Sequence, residues 1–417
     1  MQAFMGSHGG PWVPEICLDL RGSAANSLFK GVFASPFPLI IMNKNVKIDK
    51  PLKSGCVDTC PGCAHKWMSY AESLLQKQRW LKNKLSTWAD KLEPIETVEA
   101  EMRWNYREKV CLSTTWNPSG WEMGLISHEK VVPIHACPVH TEKVRQAVSL
   151  FSQQLPPGSA FPMVYYAQSQ TQVTLVLKSM KMPALSWFDN NFKEQLNQIG
   201  IKGLWIHLHP STGRKVFSKN SWHLLYGSPR SVSKDGSIYG PKSFQQLIPL
   251  LYETALDRAE KNLDPAPNDC MTDLYCGIGN GLTRWARRSC HTIGVELDGE
   301  AVECAQQNAP AATVLRGKCK DRIPQLSEWL KTQSRSNSRR LLYVNPPRTG
   351  LEPEVLDWII KTYKPDRMAY LSCSAGTLKR DLDRLTAAGY TIIKITPYDF
   401  FPQTLHVETL VFLQSCR

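Results

Sequence analysis

The sequence predicts an α/β protein, with a doubly wound, Rossmann-like sheet over residues 241–417 and a β-rich region before it. Three observations predict this. From about Pro241, the apolar stretches "CMTDLY", "HTIGVE", "RLLYVN" and "RMAYLS" alternate with helical patterns, as βαβ units on a mostly parallel sheet do. The first of these strands runs into a glycine-rich turn, "DLYCGIGNG", where bare backbone can approach a ligand closely. Between Val98 and about Tyr239 the pattern is strand-like and mixed. "QVTLVLKS" and "GLWIHLHP" alternate there, and Pro210 closes the second run.

The rest of the chain is read in order. Residues 1–50 are expected to be an N-terminal extension without packed structure, residues 51–240 a central domain, and 241–417 the doubly wound domain. Residues 1–41 lack the basic-then-apolar order of a secretory signal, and Glu15 and Asp19 speak against an organelle leader. A translation start at Met42 is an alternative. Residues 69–93 read as one helix, with Leu74, Leu81, Leu85, Trp88 and Leu92 on an apolar stripe. Lys77, Lys82 and Lys84 lie largely off that stripe and are expected on a solvated face. The 417 residues carry a net charge of +13 and a pI near 9.1, which points to an acidic partner, nucleic acid being the usual one. Thirteen cysteines, an odd number scattered mostly singly, do not make a secreted disulfide scaffold. A reducing compartment, the cytoplasm, is expected, with an organelle left open. No run of 18 apolar residues occurs, so no membrane span is expected.

The candidate chemistry lies in the C-terminal part. Gly277, Gly279 and Gly281 form the turn, and a second strand ends in Glu296 roughly 20 residues later, where a carboxylate suits ribose hydroxyls. No G-K-[ST] follows, so the pocket reads as an S-adenosylmethionine (SAM) site rather than a P-loop. "YVNPPRTGL" puts Asn345 at the carboxyl end of a strand, stiffened by two prolines. "YLSCSAGTL" puts Cys373 between the next strand and a helix N-terminus, a place that favours a thiolate. "PQTLHVETLVFL" puts Glu408 at the start of the last strand. Such a set suits methylation of uracil carbon 5. A thiolate adds at carbon 6, the resulting enolate attacks a methyl donor, and a base removes the carbon-5 proton. Asn345 can accept from N3–H and donate to O4. Taken singly, a strand-end cysteine is more often packing and a terminal-strand glutamate more often solvated. Cytosine also stays open, because an amide can present either face.

The ordered stretches "YREKV", "HACPVH", "SFQQ", "DLYCGIGN", "GVELDGEAV", "NPPRTGL", "LSCSAGTL" and "YDFFPQTLHVE" resemble the RNA uracil-5 methyltransferases. Asn-Pro-Pro-Arg in place of Asp-Pro-Pro-Arg, and no separate N-terminal RNA-binding barrel, resemble the branch that methylates 23S ribosomal RNA. The resemblance implies Cys373 as nucleophile and Glu408 as proton acceptor. It places Gln246, Tyr275, Glu296 and Asn345 in the SAM and uracil site, and implies a [4Fe-4S] cluster on Cys56, Cys60, Cys63 and Cys137. RNA, and 23S ribosomal RNA in particular, is the implied partner, and a monomer is expected. The sequence departs from the family pattern at Ile248, where the family has Asn, and at Lys318, where it often has a carboxylate. Ser374 and Ala375 follow the cysteine where Asn-Pro is usual.

"SGCVDTCPGCAHKW" spaces Cys56, Cys60 and Cys63 as C-x3-C-x2-C. Three cysteines alone also suit a radical-SAM cluster. Cys137 offers a fourth thiolate that would close the cluster, and the nucleoside turn lies roughly 200 residues downstream, apart from it. Zinc is the chemical alternative for four cysteines. Arg103, Trp104, Tyr106 and Arg107 interleave charge and rings, which suits RNA contact and core packing equally. A non-catalytic RNA-binding protein on a methyltransferase fold is the competing reading.

Overall fold

The computed structural model describes residues 51–416 except 214, 289, 290 and 336. The expectations for residues 1–50, including a start at Met42, lie outside the described residues. Two seven-stranded sheets carry the chain. The first contains β1 (Lys109–Asn117), β2 (Gly120–Ser127), β3 (Lys130–Pro133), β4 (Met163–Ser169), β5 (Gln172–Leu177), β6 (Gly203–Leu208) and β7 (Trp222–Gly227), in the order β3-β2-β1-β4-β5-β6-β7. Only the β5–β6 ladder is parallel, and the crossover that this requires carries α3 (Asn190–Ile199). With α2 (Glu142–Gln154), it covers one face: Val148, Phe151, Phe192 and Leu196 pack with Leu112, Met123 and Leu175. The alternation in β5 suggests one open face, but the strand is buried throughout. The chain around Val216 packs on Tyr165 and Val176 and closes the other side.

A short pair, β8 (Ser231–Val232) and β9 (Ile238–Tyr239), leads to the second sheet. Its strands are β10 (Cys270–Leu274), β11 (His291–Glu296), β12 (Thr313–Arg316), β13 (Arg340–Val344), β14 (Arg367–Ser372), β15 (Tyr390–Tyr398) and β16 (Glu408–Ser415), in the order β12-β11-β10-β13-β14-β16-β15. β10 to β14 are parallel, and β16 runs antiparallel to both neighbours. The helices are α4 (Pro249–Leu263), α5 (Asn280–Arg287), α6 (Gly299–Asn308), α7 (Ile323–Gln333), α8 (Pro353–Trp358) and α9 (Ala375–Ala387). Leu256, Leu282, Trp285 and Ala305 fill one face of the sheet, and Leu326, Leu356, Leu378 and Leu382 the other. This is the expected doubly wound α/β architecture. The strand order reverses between β10 and β13, which opens a crevice at their carboxyl ends.

The helix expected over residues 69–93 is shorter. α1 (Tyr70–Lys84) starts at a capping box, in which Ser69 and Glu72 each take the other's backbone N–H. After Leu85 the chain becomes a 3-10 turn, Ser86–Lys91. It must then extend, because Glu93 and Glu96 donate to the carbonyls of Ile395 and Pro397 on β15, at 2.9 and 2.8 Å. Tertiary pairing overrides helical periodicity there. Lys77 corrects a second expectation. It is 2% exposed, on the buried face with Ser73 and Leu81, and its partner is Asp399. Leu81 and Leu85 belong to the core of the second sheet. α4 begins at Pro249, whose ring suits the first helical turn. Residues 244–248 stay non-helical and reach the crevice.

Candidate active site at the sheet crevice

The glycine turn follows β10. Tyr275, Gly277 and Gly279 have φ of +61°, +57° and +88°, so the chain coils left-handed before α5 begins. A side chain at Gly279 would lie 3.1 Å from Ala305 on α6. Glu296 ends β11 and braces the turn. One carboxylate oxygen accepts from Gly277 N at 3.0 Å, and the other from Leu297 N and Asp298 N at 2.8 Å each. Burial raises its pKa, and these three donors pull against that. Asp273, one strand residue before Leu274, accepts from the Trp285 indole at 2.9 Å. Burial pushes its pKa up to about 7. Its second oxygen is buried and without a partner, as is the Asn280 side-chain oxygen at the start of α5. The Tyr275 hydroxyl donates to Glu352 at 3.4 Å.

Asn345 follows β13, and its N–H donates to Leu274 O at 3.3 Å, which fixes it beside the glycine turn. β14 and β16 are antiparallel neighbours, with Ser372 paired to Thr409. Cys373 follows Ser372 and Glu408 precedes Thr409, so the two leave neighbouring strands at the same level. Glu408 is 4% exposed. Burial pushes its pKa up to about 7, offset by a hydrogen bond from Gln246 and by the charge of Arg348. The Gln246 amide nitrogen donates to Glu408 at 3.0 Å, and its amide oxygen is buried without a partner. The Thr377 hydroxyl on α9 donates to Arg348 O at 3.0 Å, which ties the Asn-Pro-Pro-Arg turn to the helix after Cys373. Gln246, Tyr275, Glu296, Asn345, Cys373 and Glu408 thus gather around the crevice from six separate stretches of chain. Sequence reading missed Asp273, Arg348 and His406. Asp273 directly precedes the turn and Arg348 lies inside the Asn-Pro-Pro-Arg motif, so both were adjacent to a visible signal. Burial lowers the His406 pKa to about 4, helped by nearby Arg348. Ile248, a departure from the family pattern, is a buried residue at the N-terminus of α4.

Cys56, Cys60, Cys63 and Cys137 form a second group in the central domain. They line one cavity with Trp104, Ile134 and Val139. Burial raises the thiol pKa values of Cys56 and Cys60, and pushes Cys63 up to about 12; the neighbouring Cys137 adds to all three. A Cβ on Gly55 would fall 2.2 Å from Ala136 O, so glycine is needed where the two cysteine-bearing segments meet. Gly62 N points at the Cys60 sulfur, 3.5 Å away. Among the described residues no three His, Cys, Asp or Glu side chains close on a point that holds a single ion. The Arg103–Arg107 stretch serves packing. Arg103 lies 3.6 Å over the Tyr70 ring, Trp104 lines the cysteine cavity, and Tyr106 is buried.

Comparison with known proteins agrees with this geometry. The family described as tRNA (uracil-5-)-methyltransferase matches residues 331–416, the stretch that carries Asn345, Cys373 and Glu408. A protein of Listeria innocua named as an uncharacterized RNA methyltransferase is 28% identical over 391 residues, covering 85% of this chain and 82% of its own. One of Streptococcus pyogenes, named likewise, is 28% identical over 405 residues, covering 90% and 87%. The tRNA (uracil-54, C5)-methyltransferase of Pyrococcus abyssi, solved with S-adenosyl-L-homocysteine, shares the fold with a TM-score of 0.62 at 20% identity, over 85% of this chain and 86% of that one. The chain is thus similar to RNA methyltransferases over most of its length, and its residues 331–416 match the tRNA (uracil-5-)-methyltransferase family.

Proposed function

We propose that this RNA methyltransferase methylates carbon 5 of a uracil in 23S ribosomal RNA, through a covalent bond between Cys373 and carbon 6. The observation that carries the reading is the β14–β16 register, which brings Cys373 and Glu408 off adjacent strands at one level. SAM supplies the electrophilic methyl group. The site residues suit it: a left-handed glycine turn, a ribose-type carboxylate at Glu296, and buried, unpartnered oxygens on Asp273 and Asn280. Asn345 holds the uracil edge and stabilises charge on O4. Cys373 adds to carbon 6 and makes carbon 5 nucleophilic. After methylation the Glu408 carboxylate takes the carbon-5 proton. The C–H electron pair restores the ring double bond and expels the thiolate. Gln246 holds the Glu408 carboxylate in place, and its own oxygen is left to meet the substrate. A pKa near 7 suits a base that must be ionised and still accept a proton. The target carbon is shielded in stacked RNA, so the base must be flipped or met in a loop.

The four cysteines suit a [4Fe-4S] cluster: they share one cavity, Cys137 lies close enough to Cys56, Cys60 and Cys63 to raise the pKa of each, and they number the ligands a closed cube takes. Held there, the cluster would cross-link residues 56–63 to Cys137. The test of the catalytic reading uses 23S ribosomal RNA tritiated at uracil carbon 5, with SAM and no reductant. Tritium release by the wild type and none by Cys373→Ala is expected. Tight RNA binding without release would leave an RNA-binding protein on this fold.

A further inference from the structure

The connection from Tyr398 to Glu408 makes few bonds within itself. Thr404 donates to Phe401 O through its N–H and its hydroxyl, and His406 N donates to the Thr404 hydroxyl. Its other partners lie far away in the chain. The carbonyls of Phe401, Pro402 and Gln403 accept, in turn, from Lys77 Nζ at 3.2 Å, from the Tyr106 hydroxyl at 3.1 Å, and from His65 N at 2.9 Å. The Gln403 amide donates to Arg103 O at 3.3 Å, and Gln403 itself sits at φ +65°. Asp399 accepts from Lys77 Nζ at 2.6 Å and from the Tyr70 hydroxyl at 2.7 Å. The Lys77 and Asp399 side chains are 1% and 0% exposed.

A buried ion pair is a poor source of stability, since desolvation offsets most of its attraction. α1 already has Leu81 and Leu85 to bind it to the sheet. What the pair adds is direction: Lys77 can satisfy Asp399 and Phe401 O together in one arrangement of the loop only. We infer that Lys77 and Asp399 are positioning residues, which hold the 399–407 loop so that the Glu408 carboxylate meets the carbon-5 proton. This rests on the reading of Glu408 as the base. Cys373 is carried by β14 and α9, outside the loop, so nucleophilic addition does not depend on the pair. Disturbing the pair therefore has a signature that general destabilisation lacks. Addition and methylation proceed, proton removal lags, and the enzyme stays bonded to carbon 6 of the methylated uracil.

The test measures denaturant-resistant enzyme–RNA complex and tritium release together, in the full chain. The variants are Lys77→Met/Asp399→Leu, which replaces both charges with apolar groups, and Tyr106→Phe, which removes one donor to the loop and no charge. Glu408→Gln runs beside them. Melting midpoints establish which are folded. We expect the folded double variant to release tritium roughly tenfold more slowly, within the range a positioned base supplies, while its trapped complex rises severalfold. Tyr106→Phe is expected to move both in the same direction by less, and it decides the matter if the double variant does not fold. Complex formation and release falling together would reduce the pair to a structural role and overturn the proposal. So would wild-type values in a folded variant while Glu408→Gln traps complex. A Glu408→Gln enzyme that traps none would remove the base reading, and the proposal with it.

Discussion

Glu408 is asked to be a base where charge is disfavoured, and that conflict has two measurable consequences. Its folded pKa, about 7, lies above the ordinary 4.5. Proton removal should therefore rise with pH through about 7 and level off above it, in single-turnover tritium release. The same shift sets a stability cost. Below the unfolded value both states are protonated and nothing is lost. As pH rises towards 7 the unfolded chain gives up its proton more readily, and the native state loses stability, on the order of 3 kcal/mol. Glu408→Gln is nearly isosteric and cannot ionise. Denaturant unfolding should find it more stable than wild type at pH 8, with the gap closing towards pH 4.5. An equal gap at both pH values would mean that the gain is packing rather than desolvation.

Among elements, α1 is the one whose place is least evident from its own residues. Its apolar stripe and capping box were legible, because both are local signals within a few residues. Its end was not, because Glu93 and Glu96 leave helical geometry to bond strand β15, some 300 residues on. Lys77 was misread for the same reason: its partner lies 322 residues away, and a lysine off an apolar stripe looks solvated until Asp399 is beside it. Leu81→Ala should destabilise the protein by about 2–5 kcal/mol, since Leu81 is fully buried against the second sheet. A cost below 1 kcal/mol in denaturant unfolding would show that the helix is only loosely seated. The cysteine loop makes a separate prediction. Anaerobically purified protein should contain iron and acid-labile sulfide near four atoms each per chain. Cys60→Ser and Cys137→Ser should lower both. One zinc per chain without sulfide would assign the site to zinc.

For the whole molecule, the two-sheet division was legible because strand runs and βαβ alternation are coarse patterns that survive local misreading. Most of the crevice residues were legible as motifs, since Tyr275, Glu296, Asn345, Cys373 and Glu408 each sit at a strand end with turn residues around them. What no motif carried was the support behind them, the Asp273–Trp285 bond and the Lys77–Asp399 pair, which exist only once distant segments meet. The net charge of +13 bears on RNA binding as a field rather than as a contact. Affinity for unmodified 23S ribosomal RNA should fall steeply and linearly in log–log terms as salt rises. A flat response would mean that base contacts, not phosphates, dominate.

Residues 92–96 pair with β15, some 300 residues further along the chain, and this has a meaning for biogenesis. α1 and the segment after it leave the ribosome some 300 residues before their seat is made. Until β15 and β16 emerge, the buried lysine has no counter-charge and two leucines have no core. The nascent protein must therefore carry an unfinished, sticky segment while the roughly 300 residues between are made, and such exposed surface is what chaperones recognise. Contacts of such long range also slow folding itself. A chain stalled short of residue 395 would be a ready target for proteolysis, and Glu408 is set in place only once the two segments have met.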